Sequence, residues 1–188
     1  MNRSAILRIL SCLMLCLPLA GYGQTDIYEV KAGEIHFFSE APKELISASS
    51  KKLKGFLDLR HKTFAFKLDI SSFVGFNNPL QRGHFNENYM ESNVYPAATF
   101  KGKIIEDVDF EKEGSAEVRA KGKLMIHGVE QERIIKVQLT VKKARILAKS
   151  DFAVLLTDHN IKIPRVVNDK LSPEIKVAVE AILQPQVK

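Results

Sequence analysis

The fold is decided by a short stretch of alternating residues, FAFKLDIS at positions 64–71. Large apolar side chains occupy every second position, and small, charged or hydroxyl residues stand between them. Because successive side chains of a β-strand point to opposite faces, this spacing predicts a strand with one buried and one solvated face. The predicted buried face consists of Phe64, Phe66, Leu68 and Ile70.

The same period of two continues through much of the chain. Many short strands with turn-forming residues between them indicate an antiparallel all-β sandwich or barrel rather than repeated βαβ units. No internal repeat or long linker interrupts the pattern, so we expect a single domain. Strict apolar rows lie at 118–126, 137–141, 152–156 and 175–181, weaker strand candidates at 27–30, 35–39, 45–49, 53–59 and 98–105, and turn signals at 31–33, 111–115 and 127–129.

One segment breaks the alternation and reads as a helix. Asn78 can cap the helix, Pro79 suits its first position, and Gln81 can reach back to the amide of the capping residue. Apolar residues then recur four positions apart, which predicts about three helical turns with an apolar stripe. We expect this helix to cover one end of the β-structure. The stripe consists of Phe85, Tyr89 and Met90.

The N-terminus has the three parts of a secretory signal peptide. Arg3 and Arg8 precede a short apolar run, which ends at the small-residue triplet 21–23. A membrane-spanning helix needs roughly 20 apolar residues, and Pro18 ends this run early. The sequence therefore predicts a signal peptide over residues 1–23 and a mature domain over residues 24–188. After cleavage we expect no integral membrane span, and a periplasmic or secreted protein.

Composition narrows the classes of partner. The chain has 28 Lys and Arg against 22 Asp and Glu, and removing Arg3 and Arg8 with the signal peptide leaves 26 basic residues and a formal charge of +4. The lysines are scattered rather than gathered on one face with aromatic residues, so nucleic-acid binding is not expected. Both cysteines, Cys12 and Cys16, lie within the predicted signal peptide. The mature domain is therefore expected to be held together by packing, without disulfide bonds.

Motifs of catalysis and metal binding are missing from the sequence. It contains no HExxH pair, no GxSxG or SxxK serine motif and no glycine-rich phosphate loop. His84 has Glu87 and Glu91 nearby, but the spacing marks no third metal ligand. The triplet 158–160, Asp-His-Asn, is interpreted as a turn because adjacent residues of an extended chain face opposite ways. We therefore expect no catalytic residues, no metal and no cofactor, and do not expect an enzyme.

Two segments of the sequence carry further motifs. In the segment 81–100, QRGHFNENYMESNVYPAATF, Arg82 and His84 of the predicted helix are followed by a Y-P-x-x-x-F strand start at Tyr95, Pro96 and Phe100. This order resembles the YceI-like family, which has one residue more between the arginine and the histidine. The segment 122–129, GKLMIHGV, is similar to the family's G-x-L-T-I-x-G-x strand and turn. The strand pattern around both motifs agrees over most of the mature chain.

The resemblance implies an antiparallel lipocalin-like β-barrel with one short helix covering an end. It further implies a lumen that can hold the apolar tail of a polyisoprenoid or a similar lipid. Large apolar residues could equally fill the interior, which would leave an envelope protein that acts through its outer surface. A cavity of several hundred Å³ would favour the lipid carrier, and a packed interior the second function. The residues predicted to line the lumen or its lid are Phe64, Phe66, Leu68, Ile70, Phe85, Tyr89, Met90, Phe100, Leu124 and Ile126.

Overall fold

A computed structural model of the protein describes residues 26–187, and the predicted signal peptide, residues 1–23, lies outside the described residues. The described chain folds into nine β-strands and one short helix, with brief 3-10 turns in the connections. No helix in this part of the chain has the length and apolarity needed to cross a membrane. The strands are β1 (Ile27–Glu40), β2 (Leu45–Ser50), β3 (Lys54–Asp58), β4 (Thr63–Asp69), β5 (Ala97–Ile104), β6 (Gly114–Ile126), β7 (Val129–Lys142), β8 (Arg145–Leu155) and β9 (Glu174–Pro185), and the helix α1 spans Pro79–His84 and continues as a π-helical turn over Phe85–Tyr89.

Eight of these strands form a closed antiparallel barrel. Hydrogen-bonded neighbours follow the order β1-β3-β4-β5-β6-β7-β8-β9, and β9 pairs back onto β1. The closing ladder runs from Tyr28 opposite Pro185 to Phe38 opposite Lys176. The predicted all-β barrel with one short helix is therefore confirmed. The ladder between β9 and β1 closes the ring of eight strands.

The predicted turn at residues 31–33 is wrong. β1 runs through this position as one strand of 14 residues, with a bulge between Val30 and Ala32. The bulge absorbs one extra residue and lets the ladder with β9 continue. Gly33 lies close to Leu53, the residue before β3, since a Cβ on Gly33 would lie 3.0 Å from the Leu53 side chain. From the sequence, Gly33 is predicted to be a turn residue. In the structure it lies within a strand, where the missing side chain lets a neighbouring segment come close.

β1 changes its partner on one side halfway along its length. Residues 27–29 pair with β3, whereas residues 35–40 pair with β2. Ser49 makes the one backbone bridge seen on the outer edge of β2 among the described residues, to Val74, with N–O distances of 2.8 and 2.9 Å. We call this outer edge of β2 the seam. The segment 70–77 and its side chains complete the barrel wall there, in place of a continuous strand ladder.

The predicted alternation places the core inside the barrel. In β4, Phe64 and Leu68 are buried while Lys67 is exposed. In β6, Val118 and Leu124 are buried on the same inner face. Inward rows from the other strands join them in one apolar cluster. The period of two read from the sequence therefore separates inner from outer residues correctly.

Two glycines bring β5 and β6 close together. Gly102 lies directly opposite Gly122 in the ladder. A Cβ on Gly102 would lie 2.1 Å from the carbonyl oxygen of Lys121, and one on Gly122 would lie 2.3 Å from that of Lys101. Any side chain at either position would thus overlap backbone atoms of the neighbouring strand. Such glycine pairs are typical of tight bends in barrels.

The predicted helix start is confirmed in most details. The Asn78 side chain accepts a hydrogen bond from the Gln81 amide at 2.8 Å, and Pro79 occupies the first helical position. The side-chain oxygen of Gln81 accepts from the amide of Asn77 at 3.0 Å. The prediction that this second bond involves the Asn78 amide is wrong by one residue. The cap is therefore reciprocal, but its second hydrogen bond reaches Asn77, the residue before the capping Asn78.

Candidate ligand-binding cavity

The barrel encloses a cavity of about 600 Å³ with mainly apolar walls. Ligand pockets in proteins usually measure about 300–1,000 Å³, so the space is large enough for a small molecule. All ten residues predicted to line the lumen or lid border this cavity. They are Phe64, Phe66, Leu68 and Ile70 from β4 and its end, Phe85, Tyr89 and Met90 from the helical segment, Phe100 from β5, and Leu124 and Ile126 from β6.

The opposite wall was not included in the predicted set. Strands β7, β8 and β9 contribute inward rows such as Leu139, Val154 and Val177, and β1 contributes Phe37. The alternation of these strands was visible in the sequence and could have identified most of them. By contrast, Ile161 and its neighbours come from an irregular connection, for which periodicity gives no signal.

Aromatic rings form the wall nearest to the helix. The Phe85 ring stacks on Phe37 with a centroid distance of 5.3 Å, and it meets Phe76 at 5.1 Å and Phe73 at 5.6 Å. Such ring pairs add stability beyond the area that they bury. We call these four residues the phenylalanine cluster. It fixes the helical segment against the barrel at the seam.

A second apolar cluster closes the cavity beneath the C-terminal part of the helical segment. It is built around Ile70, Met90, Leu156 and Ile161, with Tyr89 packed against it. Burial raises the pKa of the Tyr89 phenol, which keeps the ring neutral in this surrounding. The helical segment therefore contributes to two clusters at once and covers the cavity between them.

Most polar side chains that border the cavity lie between α1 and two loops, and the others, Lys67, Thr99 and Ser150, lie on strands β4, β5 and β8. The Gln81 amide nitrogen donates to Glu44 Oε1 at 2.9 Å, which ties α1 to the loop before β2. Leu80, His84 and Lys170 are exposed and yet line the cavity. A residue can do both only where the cavity meets solvent. One opening of the cavity therefore lies between α1, the loop before β2 and the loop before β9.

His127 connects the end of the helical segment to the 3-10 turn that follows β8. Its Nε2 lies 2.7 Å from Glu91 Oε2, and its Nδ1 lies 3.0 Å from the carbonyl oxygen of His159. The β6–β7 turn holds His127 in place, since His127 and Gly128 have the positive φ angles, 51° and 71°, that a type I′ turn requires. Glu91, considered in the sequence as a metal partner of His84, thus pairs with His127. Among the described residues no three groups are placed to hold a metal.

The triplet 158–160 forms the predicted turn, a 3-10 turn followed by Asn160 in the left-handed region. His159 is fully buried there, and its Nδ1 lies 3.1 Å from the carbonyl oxygen of Val129. Because a carbonyl only accepts, Nδ1 carries the proton, and Nε2 is buried with no hydrogen-bond partner among the described residues. Burial lowers the pKa of His159 from its usual value of 6.5.

Because His159 is buried, we expect the free energy of unfolding to decrease in mild acid. Below pH 6.5 His159 takes up a proton more readily in the unfolded chain than in the folded chain, because the pKa is lowered in the folded chain. The free energy of unfolding therefore decreases as the pH is lowered. We expect chemical denaturation to show this decline between about pH 6.5 and pH 5. His159→Gln should remove much of that slope, whereas His84→Gln, at an exposed position, should keep it. Equal slopes in wild type and His159→Gln would contradict the prediction.

The closed ring of strands and the apolar cavity inside it define a lipocalin-like barrel with space for a ligand. Solved structures with the same fold include a polyisoprenoid-binding domain from Saccharophagus degradans implicated in plant cell wall breakdown, with a TM-score of 0.73, 16% identity, and coverage of 85% of this chain and 98% of that one. Burkholderia cenocepacia BcnA has a TM-score of 0.66 and 14% identity, covering 80% of this chain and 95% of that one. At these identities the similarity shows the fold alone.

The family follows from the sequence match. Residues 29–183 match the YceI-like domain, which is most of the chain. The protein therefore belongs to the YceI-like domain family, as the two motifs indicated. The YCEI protein of Campylobacter jejuni is a further structural match, with a TM-score of 0.54, 18% identity, and coverage of 68% of this chain and 74% of that one. No curated protein matches the sequence.

Proposed function

We propose that this protein is an extracytoplasmic, non-catalytic carrier that holds a polyisoprenoid, quinone or fatty-acid-like lipid in the barrel cavity. The observation that carries this proposal is the apolar cavity of about 600 Å³. A packed interior would have favoured an envelope protein that acts through its outer surface. The Saccharophagus degradans relative is described as polyisoprenoid-binding, which supports the choice of ligand class.

The proposed mechanism is burial of an alkyl or isoprenoid tail. Each 100 Å² of apolar surface removed from water contributes roughly 2.5 kcal/mol, before the entropy lost by the ligand is subtracted. The ten predicted lining residues would contact the tail, mostly through aromatic and branched side chains. The polar head would remain at the opening, near Gln81, His84 and Lys170. A carrier of this kind needs no reacting group, since binding and release complete its task.

Native mass spectrometry of protein produced in the organism that encodes it tests the proposal. We expect one population of protein with an added mass of a single lipid, which organic solvent extracts and which fragments as an isoprenoid, quinone or acyl chain. The polypeptide mass should correspond to a start at Gln24, because cleavage after Gly23 is predicted. Protein that carries no lipid and does not take up added prenols or fatty acids would refute the carrier function. An intact Met1 on exported protein would refute the signal-peptide boundary alone.

A further inference from the structure

Three segments meet around the opening of the cavity. The side-chain amide of Asn77 donates to the carbonyl oxygen of Leu45 at 3.1 Å, which joins α1's start to β2. The Lys43 amide donates to the carbonyl oxygen of Asp169 at 2.8 Å, and the two side chains form an ion pair at 2.5 Å. The residues 43–45, 77–81 and 165–171 therefore form one connected border, which we call the rim.

The rim exposes large apolar side chains to solvent. Val166 is 84% exposed, Leu80 is 67% exposed and Leu45 is 59% exposed. Single exposed apolar residues are common on protein surfaces, but apolar residues grouped around a ligand opening mark interaction sites. Because Leu45 and Val166 do not line the cavity, packing inside the barrel does not account for them.

Cations accompany these apolar residues. Arg165 and Lys170 are exposed, and within the described chain neither has an acidic group within the 4.0 Å of an ion pair. The acidic groups of the rim are Asp169, which pairs with Lys43, and Glu44, whose carboxylate accepts from the neutral Gln81 amide and keeps its charge. Three cations, Lys43, Arg165 and Lys170, against these two carboxylates give the rim a net charge of +1, and its two unpaired cations lie beside exposed apolar side chains. This combination is complementary to a surface with negative headgroups over an apolar interior.

We propose that the rim docks on an anionic phospholipid bilayer, so that a lipid tail can pass between the membrane and the cavity without crossing water. The inference rests on the proposed carrier function, since it names the source and destination of the ligand. Leu45, Leu80 and Val166 would enter the interfacial region of the bilayer. Arg165 and Lys170 would lie at the level of the phosphate groups. The opening of the cavity would then face the acyl chains directly.

A second basic surface provides a control within the same molecule. On the outer face of β5 and β6, Lys101 lies opposite Lys123 and Lys103 lies opposite Lys121. This surface is on the outside of the barrel wall, away from the rim residues that border the opening. If membrane binding depended only on total positive charge, loss of these lysines would weaken it more than loss of Arg165 alone.

Vesicle co-sedimentation of the mature full-length chain tests the docking surface. We expect wild type to bind vesicles of phosphatidylglycerol mixed with phosphatidylethanolamine at low salt, and to bind pure phosphatidylcholine vesicles weakly. Leu45→Ser combined with Val166→Ser should lower the partition coefficient by about tenfold or more. Arg165→Ser should lower it by about fivefold. Lys103→Ser combined with Lys121→Ser should stay within about twofold of wild type.

Binding of a fluorescent fatty acid in solution, without vesicles, separates this proposal from the carrier function. The rim variants change no residue that lines the cavity, so they should bind the probe as wild type does. Vesicle binding that depends on the rim supports docking even if the probe is not bound, and that second result would refute the carrier function alone. Docking is refuted if wild type ignores anionic vesicles, if the rim variants bind them normally, or if the lysine control loses as much as Arg165→Ser. Rim variants that instead abolish self-association, with no vesicle binding by wild type, would also overturn it.

Discussion

Ala148→Phe is expected to abolish lipid binding while leaving the barrel folded. Ala148 lines the cavity and lies opposite Ala181, another small lining residue. Side chains therefore take up little of the cavity at this point. A phenylalanine side chain here would occupy space that the ligand tail needs. If it displaces about 100 Å² of tail contact, affinity falls by roughly 2.5 kcal/mol, or about 60-fold. Lipid mass should disappear from native spectra, and titration with a fluorescent fatty acid should show the lost affinity.

The matched control is Ala178→Phe. Ala178 lies on the neighbouring strand β9, but the alternation of that strand directs it to the outer face with Lys176 and Glu180. This variant adds the same ring without entering the cavity, so it should retain the lipid. Equal retention by both variants would show that the tail does not occupy the lumen. Loss in both variants, accompanied by a lower melting temperature, would point to unfolding rather than to blockage.

Phe85→Ala is expected to lower the free energy of unfolding by about 3 kcal/mol, at the lower end of the range for phenylalanine truncation because the ring is half-buried. The substitution removes the ring that joins Phe37, Phe73 and Phe76 in the phenylalanine cluster. Urea denaturation followed by far-ultraviolet circular dichroism measures the loss. We expect one transition, since the helical segment shares its contacts with the barrel core.

Leu80→Ala is the control for this second variant. Leu80 belongs to the same helix but is 67% exposed, so its truncation should cost less than about 0.5 kcal/mol. Two separate transitions in Phe85→Ala would show that the helix can leave while the barrel stays folded. A cost near that of Leu80→Ala would show that the phenylalanine cluster contributes little to stability.

Local patterns in the sequence were sufficient for the barrel and for one wall of the cavity. The period of two in β4 and β6 identified inward residues such as Phe64 and Leu124, because side-chain direction alternates in any strand. The cap at Asn78 could also be predicted, since capping involves residues three positions apart. The ten lining residues came together because the inward faces of a closed ring share one interior.

Features that depend on distant partners could not be predicted in this way. Residues 31–33 have the composition of a turn, and only the ladder with β9 keeps them extended. The contact of His127 with Glu91 joins positions 36 residues apart, which no local pattern encodes. Similarly, Ile161 reaches the cavity through an irregular connection whose path is set by packing.

The seam also affects how the binding properties of this barrel could be changed. Around the rest of the ring, each strand is held by backbone hydrogen bonds, so altering the wall there disturbs a whole ladder. Along the outer edge of β2 the wall depends on side chains, on the bridge between Ser49 and Val74, and on the 2.6 Å contact of the Ser50 and Ser72 hydroxyls. Residues 70–96 could therefore be redesigned or exchanged between homologues as a cassette, to admit tails of different width, while the register of the eight-stranded ring is preserved.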